Sequence, residues 1–355
     1  MKIALISIAK PERGTGNGTT TYSYELMVRL RRMGNTVDSY YGIAKSRRYD
    51  IVGLTKMTAL FPREIAKIAK IDYDIVHITM QELGFAAKIL KQNGSRAKVV
   101  TTIHDLIRFD EAFEKGILER TYNAIVKRNI ADAVKYSDFL LFNSQQTKGD
   151  VVRTFGGIGA NKVILHGIRK SFGKEEHEKK KGHVFIVGYV GSFTRNKNVV
   201  AVLKVARILR YDNSIRFEVH GSGAEHDAIF KYKKDNTIDN VALYGPVPER
   251  DIVKIYDGFD AYMMPSLSEG FSHVILEAQA RGLPVIIFEG ARIPKETARY
   301  CIMAHDEKDV ARIIRRIKAF GPNKVRIKKA KVYARTFTWD RTVKQSLNIY
   351  KTIVR

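Results

Sequence analysis

The stretch that decides the fold is MPSLSEGFSHVILEAQARGLPVI, residues Met264–Ile286 of a 355-residue chain. The apolar run Ala261–Met264 predicts a strand, and the polar residues Ser266–Gly270 predict a loop at its end. The pattern over about Ser272–Arg281 then predicts a helix, which a glycine and a proline terminate. Because α/β folds bind ligands in loops at the carboxyl ends of parallel strands, this strand–loop–helix unit is also a candidate binding site.

The same alternation of short apolar runs and helical patterns extends outward over the whole chain. Tyr22–Met33 is one such helical pattern, with apolar residues at helical spacing. Strands that alternate with helices predict parallel sheets of the doubly wound α/β type. The predicted strands are Lys2–Ile8, Thr36–Tyr41, Ile75–Ile78, Val99–Ile103, Phe139–Phe142, Lys162–Leu165, Val184–Val190, Arg216–Gly221, Val241–Tyr244, Ala261–Met264 and Val285–Phe288.

A charged stretch without apolar periodicity, GKEEHEKKKGH at residues 173–183, predicts a linker between two domains. The first domain is then 1–172 and the second 184–337, and residues 338–355 carry a separate helical pattern. Two domains also suit the chain length, at roughly 150 residues per domain.

Composition excludes some classes of protein. The single cysteine, Cys301, rules out a disulfide framework and a cysteine-built zinc site. No apolar run approaches the ~20 residues that span a bilayer, and the opening residues predict a buried strand, not a signal peptide. With 62 Lys and Arg against 37 Asp and Glu, the net charge is +25, which favours anionic partners. A cytosolic enzyme and a nucleic-acid binder both fit.

The predicted helix of the deciding stretch carries a carboxylate among apolar neighbours, Glu277. Burial of a carboxylate costs free energy unless it accepts hydrogen bonds. Sugar hydroxyls of a ligand or an arginine inside the core would each supply them. The amides of Gly270, Phe271 and Ser272 lie at the helix N-terminus, where anions bind.

The segment EGFSHVILEAQARGLPVI contains two glutamates eight positions apart, Glu269 and Glu277. This pattern resembles the signature of the retaining glycosyltransferases of family 4, also called the group 1 glycosyl transferases. Other segments resemble that family's motifs in the expected order, over nearly the whole chain: the glycine-rich loop Gly14–Gly18, YDIVHI at Tyr73–Ile78, TTIHDL at Thr101–Leu106, Phe139–Gly156, VILHGI at Val163–Ile168, YVGSFTRNKN at Tyr189–Asn198 and FTWDRT at Phe337–Thr342.

The resemblance implies the GT-B fold: two Rossmann-like, doubly wound domains that face a cleft, with the last helix crossing back to the first domain. It implies a retaining enzyme that moves a hexose from a UDP- or GDP-sugar, held by the second domain, to a glycan, lipid-linked or other hydroxyl acceptor on the first.

The resemblance also assigns roles in the second domain. Glu269 contacts hydroxyls of the donor sugar, Glu277 holds the ribose, and Lys197 neutralises the diphosphate. Ser192 stands where the family often has an arginine, so Arg195 is the candidate substitute. Without the family, Arg195 and Lys197 also fit a solvated surface.

In the first domain, the resemblance implies that His104 faces the reacting sugar and that Asp105 orients His104 or the loop. A lone histidine after an apolar run also fits a packed or capping residue. The glycine-rich loop would approach a phosphate or the acceptor, and otherwise is a flexible turn. The remaining residues with expected ligand contacts are Gly16, Asn17 and Gly18 of that loop, and Gly221 and Gly245 beside the base and phosphate.

No metal and no other cofactor is expected, because lysine, arginine and the helix N-terminus carry the diphosphate charge in such enzymes. Asp72 and Asp74 have the spacing of a metal-binding pair, but they precede the apolar run IVHI and fit the start of a strand better.

Two rival functions stay open. A nucleic-acid binder would explain the charge, but the cations are dispersed, and the densest run, Lys324–Arg335, fits a solvated helix face. A glycogen-synthase-like or sugar-phosphate synthase shares the motifs, and the chain looks short for one.

A further expectation concerns an anionic membrane surface. Cations and apolar residues are mixed after the second strand, at Lys45, Arg47, Arg48, Leu54, Met57, Leu60, Phe61, Arg63, Lys67 and Lys70. Such a segment can lie on a bilayer, or its apolar residues can pack inward. The expected location is therefore the cytoplasm, with peripheral docking on the inner membrane face.

Overall fold

The computed structural model describes residues 1–11, 18–42, 60–107, 116–173 and 184–355. They form two compact units: Met1–Gly167 together with Trp339–Arg355, and Ile168–Thr338. Each unit is built on a parallel β-sheet.

The described strands of unit 1 form a parallel sheet in the order β2-β1-β3-β4-β5-β6. These strands are β1 (Lys2–Ser7), β2 (Thr36–Tyr41), β3 (Ile75–Ile78), β4 (Lys98–Ile103), β5 (Phe139–Phe142) and β6 (Asn161–Val163). The connecting helices are α1 (Gly18–Arg32), α2 (Phe61–Ile68), α3 (Phe85–Gln92), α4 (Gly116–Tyr136) and α5 (Gln145–Phe155).

The sheet of unit 1 is covered on both faces, which is why its inner strands β1, β3 and β5 are rich in buried apolar residues. In β1, Ala4 and Ile6 join one apolar cluster, while Ile3 and Leu5 join a second cluster on the opposite face. This split follows from the alternation of side chains along a strand.

Unit 2 repeats the architecture with the strand order β12-β11-β10-β7-β8-β9. Its strands are β7 (Phe185–Val190), β8 (Ile215–His220), β9 (Val241–Tyr244), β10 (Ala261–Met264), β11 (Val285–Phe288) and β12 (Ile302–Ala304). Its helices are α6 (Val200–Ile208), α7 (His226–Asp235), α8 (Ile252–Gly258), α9 (His273–Ala280), α10 (Lys295–Ala298), α11 (Glu307–Phe320) and α12 (Lys324–Arg335).

The last helix, α13 (Trp339–Val354), belongs to unit 1 and packs against α1. Its apolar face, which includes Trp339 and Val343, is buried in the same cluster as Leu26 and Leu30 of α1. The hydroxyl of Tyr350 lies 2.5 Å from Nδ1 of His77 on β3, which adds a polar tie between helix and sheet.

The predicted strands are confirmed to within about two residues at their ends. The sequence reading missed β12, because three residues are too few to show a period. The predicted first domain ran to residue 172, whereas residues 168–173 lie in unit 2. There the amide of Ile168 donates to the carbonyl of Phe337 (3.0 Å), and the ring of Phe172 packs edge-on against Tyr256. The rest of the predicted linker, 174–183, lies outside the described residues.

The segment expected to meet a membrane is described only in part, since residues 43–59 lie outside the described ranges. Phe61, Ile65 and Ile68 of α2 are buried in the unit 1 core, and Leu60 is half exposed. The apolar face of α2 therefore packs inward. No helix of the described residues is long and apolar enough to cross a bilayer.

Candidate functional site

Two loops of unit 2 meet at the carboxyl ends of neighbouring strands. The loop after β10 and the 3₁₀ turn Arg195–Lys197 after β7 are adjacent because β10 pairs with β7. The amide of Leu267 donates to the carbonyl of Asn196 (2.9 Å), and Asn196 Nδ2 donates to the carbonyl of Ser268 (2.8 Å). These bonds hold the two loops in one arrangement.

Lys197 and Glu269, one from each loop, form an ion pair. Lys197 Nζ donates to Glu269 Oε1 at 2.5 Å, and only 8% of the Glu269 side chain is exposed, against 23% for Lys197. The amide of Glu269 donates to the carbonyl of Arg292 (2.9 Å), which supports the loop from behind. The two charged residues, predicted separately for the sugar and the diphosphate, are thus brought together, with the cation on the more exposed side.

The helix α9 begins immediately after this loop, at the N-cap residue Ser272. The hydroxyl of Ser272 is buried, makes no capping bond, and has no hydrogen-bond partner among the described residues. Gly270 and Phe271 are buried beside it. The N-terminus of a helix and the nearby ammonium of Lys197 both favour an anion at this place.

Glu277 lies inside α9 and is held by an arginine. Arg169 Nε donates to its Oε1 (2.8 Å) and Nη2 to its Oε2 (2.9 Å), a bidentate pair between residues 108 positions apart. The Glu277 side chain is 2% exposed and that of Arg169 is 30% exposed. Burial raises the pKa of Glu277, and the guanidinium offsets part of that rise. Of the two partners considered from the sequence, the arginine is the one present; the ribose contact stays a prediction.

The glycines after β8 are required by close packing. A Cβ at Gly221 would lie 1.8 Å from the carbonyl oxygen of Gly191, and one at Gly223 would lie 2.3 Å from that of Phe193. The loop after β8 therefore presses its backbone against the loop after β7. At Gly245, by contrast, a Cβ would have no neighbouring atom within 4 Å, so packing does not require a glycine there.

Gly245 lines a cavity of about 370 Å³ next to these loops. One wall is the stacked pair His220 and Tyr244, with ring centroids 4.6 Å apart and planes 14° from parallel. Burial lowers the pKa of His220, against the effect of Glu218 at 3.5 Å. The cavity offers a flat aromatic wall and open backbone, which suits a planar ring.

In unit 1, His104 follows β4 and is buried in an aromatic cluster. Its Nε2 donates to the carbonyl of Thr79 (2.8 Å), its ring lies edge-on to Tyr22 (5.1 Å), and His166 is 5.2 Å away. Burial lowers the pKa of His104, so the ring is neutral with the proton on Nε2. His104 is 3% exposed, and its contact with a sugar stays a prediction.

Comparison with known proteins identifies the family to which the chain belongs. The model for "Glycosyl transferases group 1" matches residues 171–333, and that for "Glycosyltransferase Family 4" matches residues 16–171. The chain belongs to the group 1 glycosyltransferases. The resemblance to the group 1 glycosyl transferases, inferred from the glutamate motif, is thereby confirmed.

Relatives of this glycosyltransferase match nearly its whole length. The D-inositol 3-phosphate glycosyltransferase of Corynebacterium aurimucosum is 23% identical, over 99% of this chain and 96% of the relative. Sucrose-phosphate synthase from Thermosynechococcus elongatus matches with a TM-score of 0.80 and 18% identity, over 99% of this chain and 98% of that one. Anabaena Alr3699/HepE, in complex with UDP and glucose, matches with a TM-score of 0.76 and 16% identity, over 99% and 100%.

These structural likenesses establish the GT-B fold of the glycosyltransferase. They also correct an expectation. The chain looked short for a sugar-phosphate synthase, but it matches 98% of a sucrose-phosphate synthase chain, so length does not separate the two classes.

The other predicted site residues of this glycosyltransferase have fewer contacts in the structure or lie outside its described residues. Arg195 is exposed beside Lys197, and Asp105 accepts from the amide of Ile107 (3.3 Å) at the turn after β4. Gly18 is the first residue of α1, whereas Gly16 and Asn17 lie outside the described residues.

Of the acidic pair before β3, Asp74 has a structural role at the start of the strand. Asp74 Oδ2 accepts from the amide of Lys2 (2.7 Å), which ties the start of β3 to β1, and Asp72 is exposed. Within the described part of the chain, no three His, Cys, Asp or Glu side chains cluster as metal ligands would.

Sequence reasoning missed two contributors to the site. Arg169 directly follows the motif VILHGI, and this position was the only feature of the sequence that could have indicated its role in the site. Asn196, which ties the two loops, lies between Arg195 and Lys197 and carried no signal of its own.

Proposed function

We propose that this glycosyltransferase moves a hexose from a UDP- or GDP-sugar to a hydroxyl of a glycan or lipid-linked acceptor, with retention of the anomeric configuration and without a metal ion. The observation that carries the proposal is the cluster of Lys197, Glu269 and the buried Ser272 hydroxyl at the start of α9. A cation, a sugar-binding carboxylate and a helix N-terminus within one pair of loops match the chemistry of a sugar diphosphate.

Lys197 and the first amides of α9 bind the diphosphate. Departure of the nucleotide places negative charge on the leaving phosphate oxygen, and donors already aimed at that oxygen stabilise it most in the transition state. The ammonium has three donors, so Lys197 meets phosphate oxygens while it keeps its bond to Glu269. The second oxygen of Glu269 accepts from hydroxyls of the donor sugar.

Retention follows if the acceptor oxygen attacks the anomeric carbon on the face from which the diphosphate leaves. The bond from that carbon to the phosphate oxygen breaks with its electron pair, and the acceptor proton passes to the same oxygen. No protein carboxylate is then needed as nucleophile. His104, neutral and fixed by Thr79, takes no proton in this scheme and positions the sugar.

The nucleoside is held in unit 2. Glu277, oriented by both of its bonds to Arg169, has lone pairs left for the ribose hydroxyls. The base lies in the cavity against the stacked His220 and Tyr244, where the backbone at Gly245 is open to it. Because backbone groups and aromatic rings line this cavity, it suits the base of either UDP or GDP.

Binding of the diphosphate is tested with Lys197→Met. Calorimetric titration with UDP and GDP should show at least a tenfold weaker Kd, because a hydrogen bond to a charged group contributes roughly 1.5–3 kcal/mol. Lys204→Met is the matched control, since Lys204 pairs with Glu307 (3.3 Å) on the surface of the same unit. Equal nucleotide affinity in both variants would refute the diphosphate role.

The reaction itself is tested with a panel of UDP-, GDP- and ADP-sugars. A donor at about 100 times its Kd should add roughly 2.7 kcal/mol of stability. Glu269→Gln should retain nucleotide binding but lose donor hydrolysis and transfer. A product with inverted anomeric configuration, shown by NMR, would contradict retention.

A further inference from the structure

A long segment of unit 2 carries cations without acids. Residues 310–338 contain ten lysines or arginines and no aspartate or glutamate, so this segment supplies +10 of the +25 net charge. It covers most of α11, the turn at Gly321 and all of α12. The glycosyl-transfer chemistry uses none of these residues.

The helix α12 has one face against the unit and one face outward. Its buried residues, Ala330 and Ala334, lie on the side that packs against α9. Val325 and Val332 are 65% and 62% exposed. They are seven residues apart, about two helical turns, so they lie along one line of the helix.

Two lysines complete this outward face. Lys328 and Lys329 are three and four residues from both valines, which places them between the valines on the same side of the helix. Within the described ranges, neither lysine forms an ion pair with a carboxylate. The helix is preceded by Phe320, the last residue of α11, which is 86% exposed.

We propose that the outward face of α12, together with Phe320, docks on the surface of an anionic phospholipid bilayer. This docking face consists of Phe320, Val325, Lys328, Lys329 and Val332. The proposal concerns binding alone and does not rest on the proposed reaction.

The arrangement of the docking face favours a bilayer over a nucleic acid. A bilayer surface attracts lysines to its phosphates and accepts apolar side chains at the boundary with the acyl chains. A nucleic acid would use the cations equally, but aliphatic side chains such as Val325 and Val332 gain nothing from its phosphates. Scattered exposed apolar residues are common, whereas three of them on one acid-free cationic segment are not.

The expected effect of the lysines follows from surface electrostatics. Each Lys near an anionic leaflet raises the partition coefficient about fivefold, which corresponds to about 1 kcal/mol. Loss of Lys328 and Lys329 therefore lowers binding about 25-fold, and reversal of both charges lowers it further.

The test is vesicle flotation with the full chain. Vesicles of phosphatidylcholine alone and of an equimolar mixture with phosphatidylglycerol are compared. Wild-type protein should float with the mixed vesicles only, and added salt should weaken binding. Lys328→Glu with Lys329→Glu should abolish it. The matched control is Lys233→Glu with Lys234→Glu, two adjacent lysines at the end of α7, which has the same charge change and should bind nearly as wild type.

A second variant separates lipid from polyanion binding. Phe320→Ser, Val325→Ser and Val332→Ser together remove the exposed apolar groups and leave the charge and the buried face intact. This variant should lose binding to the mixed vesicles and keep any binding to double-stranded DNA. Unchanged vesicle binding by this variant, equal losses in the two lysine pairs, or no flotation of wild type with mixed vesicles would each overturn the proposal.

Discussion

Replacement of Arg169 by methionine should destabilise unit 2, because it leaves the Glu277 carboxylate buried without its partner. Arg169 supplies a donor to each oxygen of Glu277, at 2.8 and 2.9 Å. Methionine fills similar space without charge. The Glu277 side chain, 2% exposed, cannot turn to water.

The expected loss is about 3 kcal/mol, the lower end of the range for breaking a buried ion pair. The lower end applies because the Arg169 site is 30% exposed and some water reaches it. In a unit of this size, each kcal/mol shifts Tm by about 2–4 °C, so Tm should fall by about 6–12 °C. Glu277→Gln should cost less, because the arginine that it leaves unpaired is the more exposed partner.

The pH dependence gives a sharper test of the same contact. Burial already raises the pKa of Glu277, and without Arg169 it rises further. A carboxyl whose folded pKa lies above its unfolded value binds protons as the pH falls, which stabilises the folded state. The deficit of Arg169→Met should therefore be full at alkaline pH and shrink as the pH falls through the raised pKa.

Calorimetry of Arg169→Met, Glu277→Gln and the double variant checks this reasoning. The double variant should regain most of the stability, since no buried charge is left unpaired. Arg281→Met is the control: Arg281 Nε lies 2.6 Å from Asp257 Oδ1, also buried in unit 2. Arg281→Met should lower Tm but leave the affinities for UDP and GDP unchanged. Arg169→Met should lower Tm and also weaken the binding of UDP and GDP.

Two results would refute the reasoning. One is a double variant no more stable than Arg169→Met, and the other is a deficit that is the same in acid and alkali. If stability behaves as expected but nucleotide affinity does not change, the ion pair is structural and the ribose role of Glu277 fails.

Further outcomes can be checked with single experiments. Burial lowers the pKa of His77 to about 3, so unfolding free energy should fall by about 1.4 kcal/mol per pH unit below about 6.5, and His77→Gln should flatten that dependence in urea titrations. Gly223→Ala should lower Tm because its Cβ meets a backbone carbonyl, whereas Gly245→Ala, with open space around it, should not. Transferase activity should survive EDTA; complete loss, restored by magnesium or manganese, would contradict metal independence and return attention to Asp72 and Asp74.

The fold of each unit was readable from local pattern. Strands covered on both faces are continuous apolar runs, and the helices between them show their period, so parallel α/β sheets follow from sequence alone. The glutamate motif likewise identified the family, because the loop and helix that carry Glu269 are contiguous in the chain. The ion pair of Glu269 with Lys197 appeared only in the folded unit, although both residues had been singled out.

What the sequence could not determine is which distant side chains meet. Arg169 and Glu277 are 108 positions apart, and His77 and Tyr350 are 273 apart. A pattern of 2.0 or 3.6 residues reports the face on which a side chain lies, but not the partner that packing brings to that face. The same limit applies to residues 168–173 and to Ser272. The former belong to unit 2 through contacts with Phe337 and Tyr256, and the hydroxyl of Ser272 is buried without a capping bond. Local periodicity thus determined the elements, and tertiary packing alone decided which charges and hydroxyls they bring together.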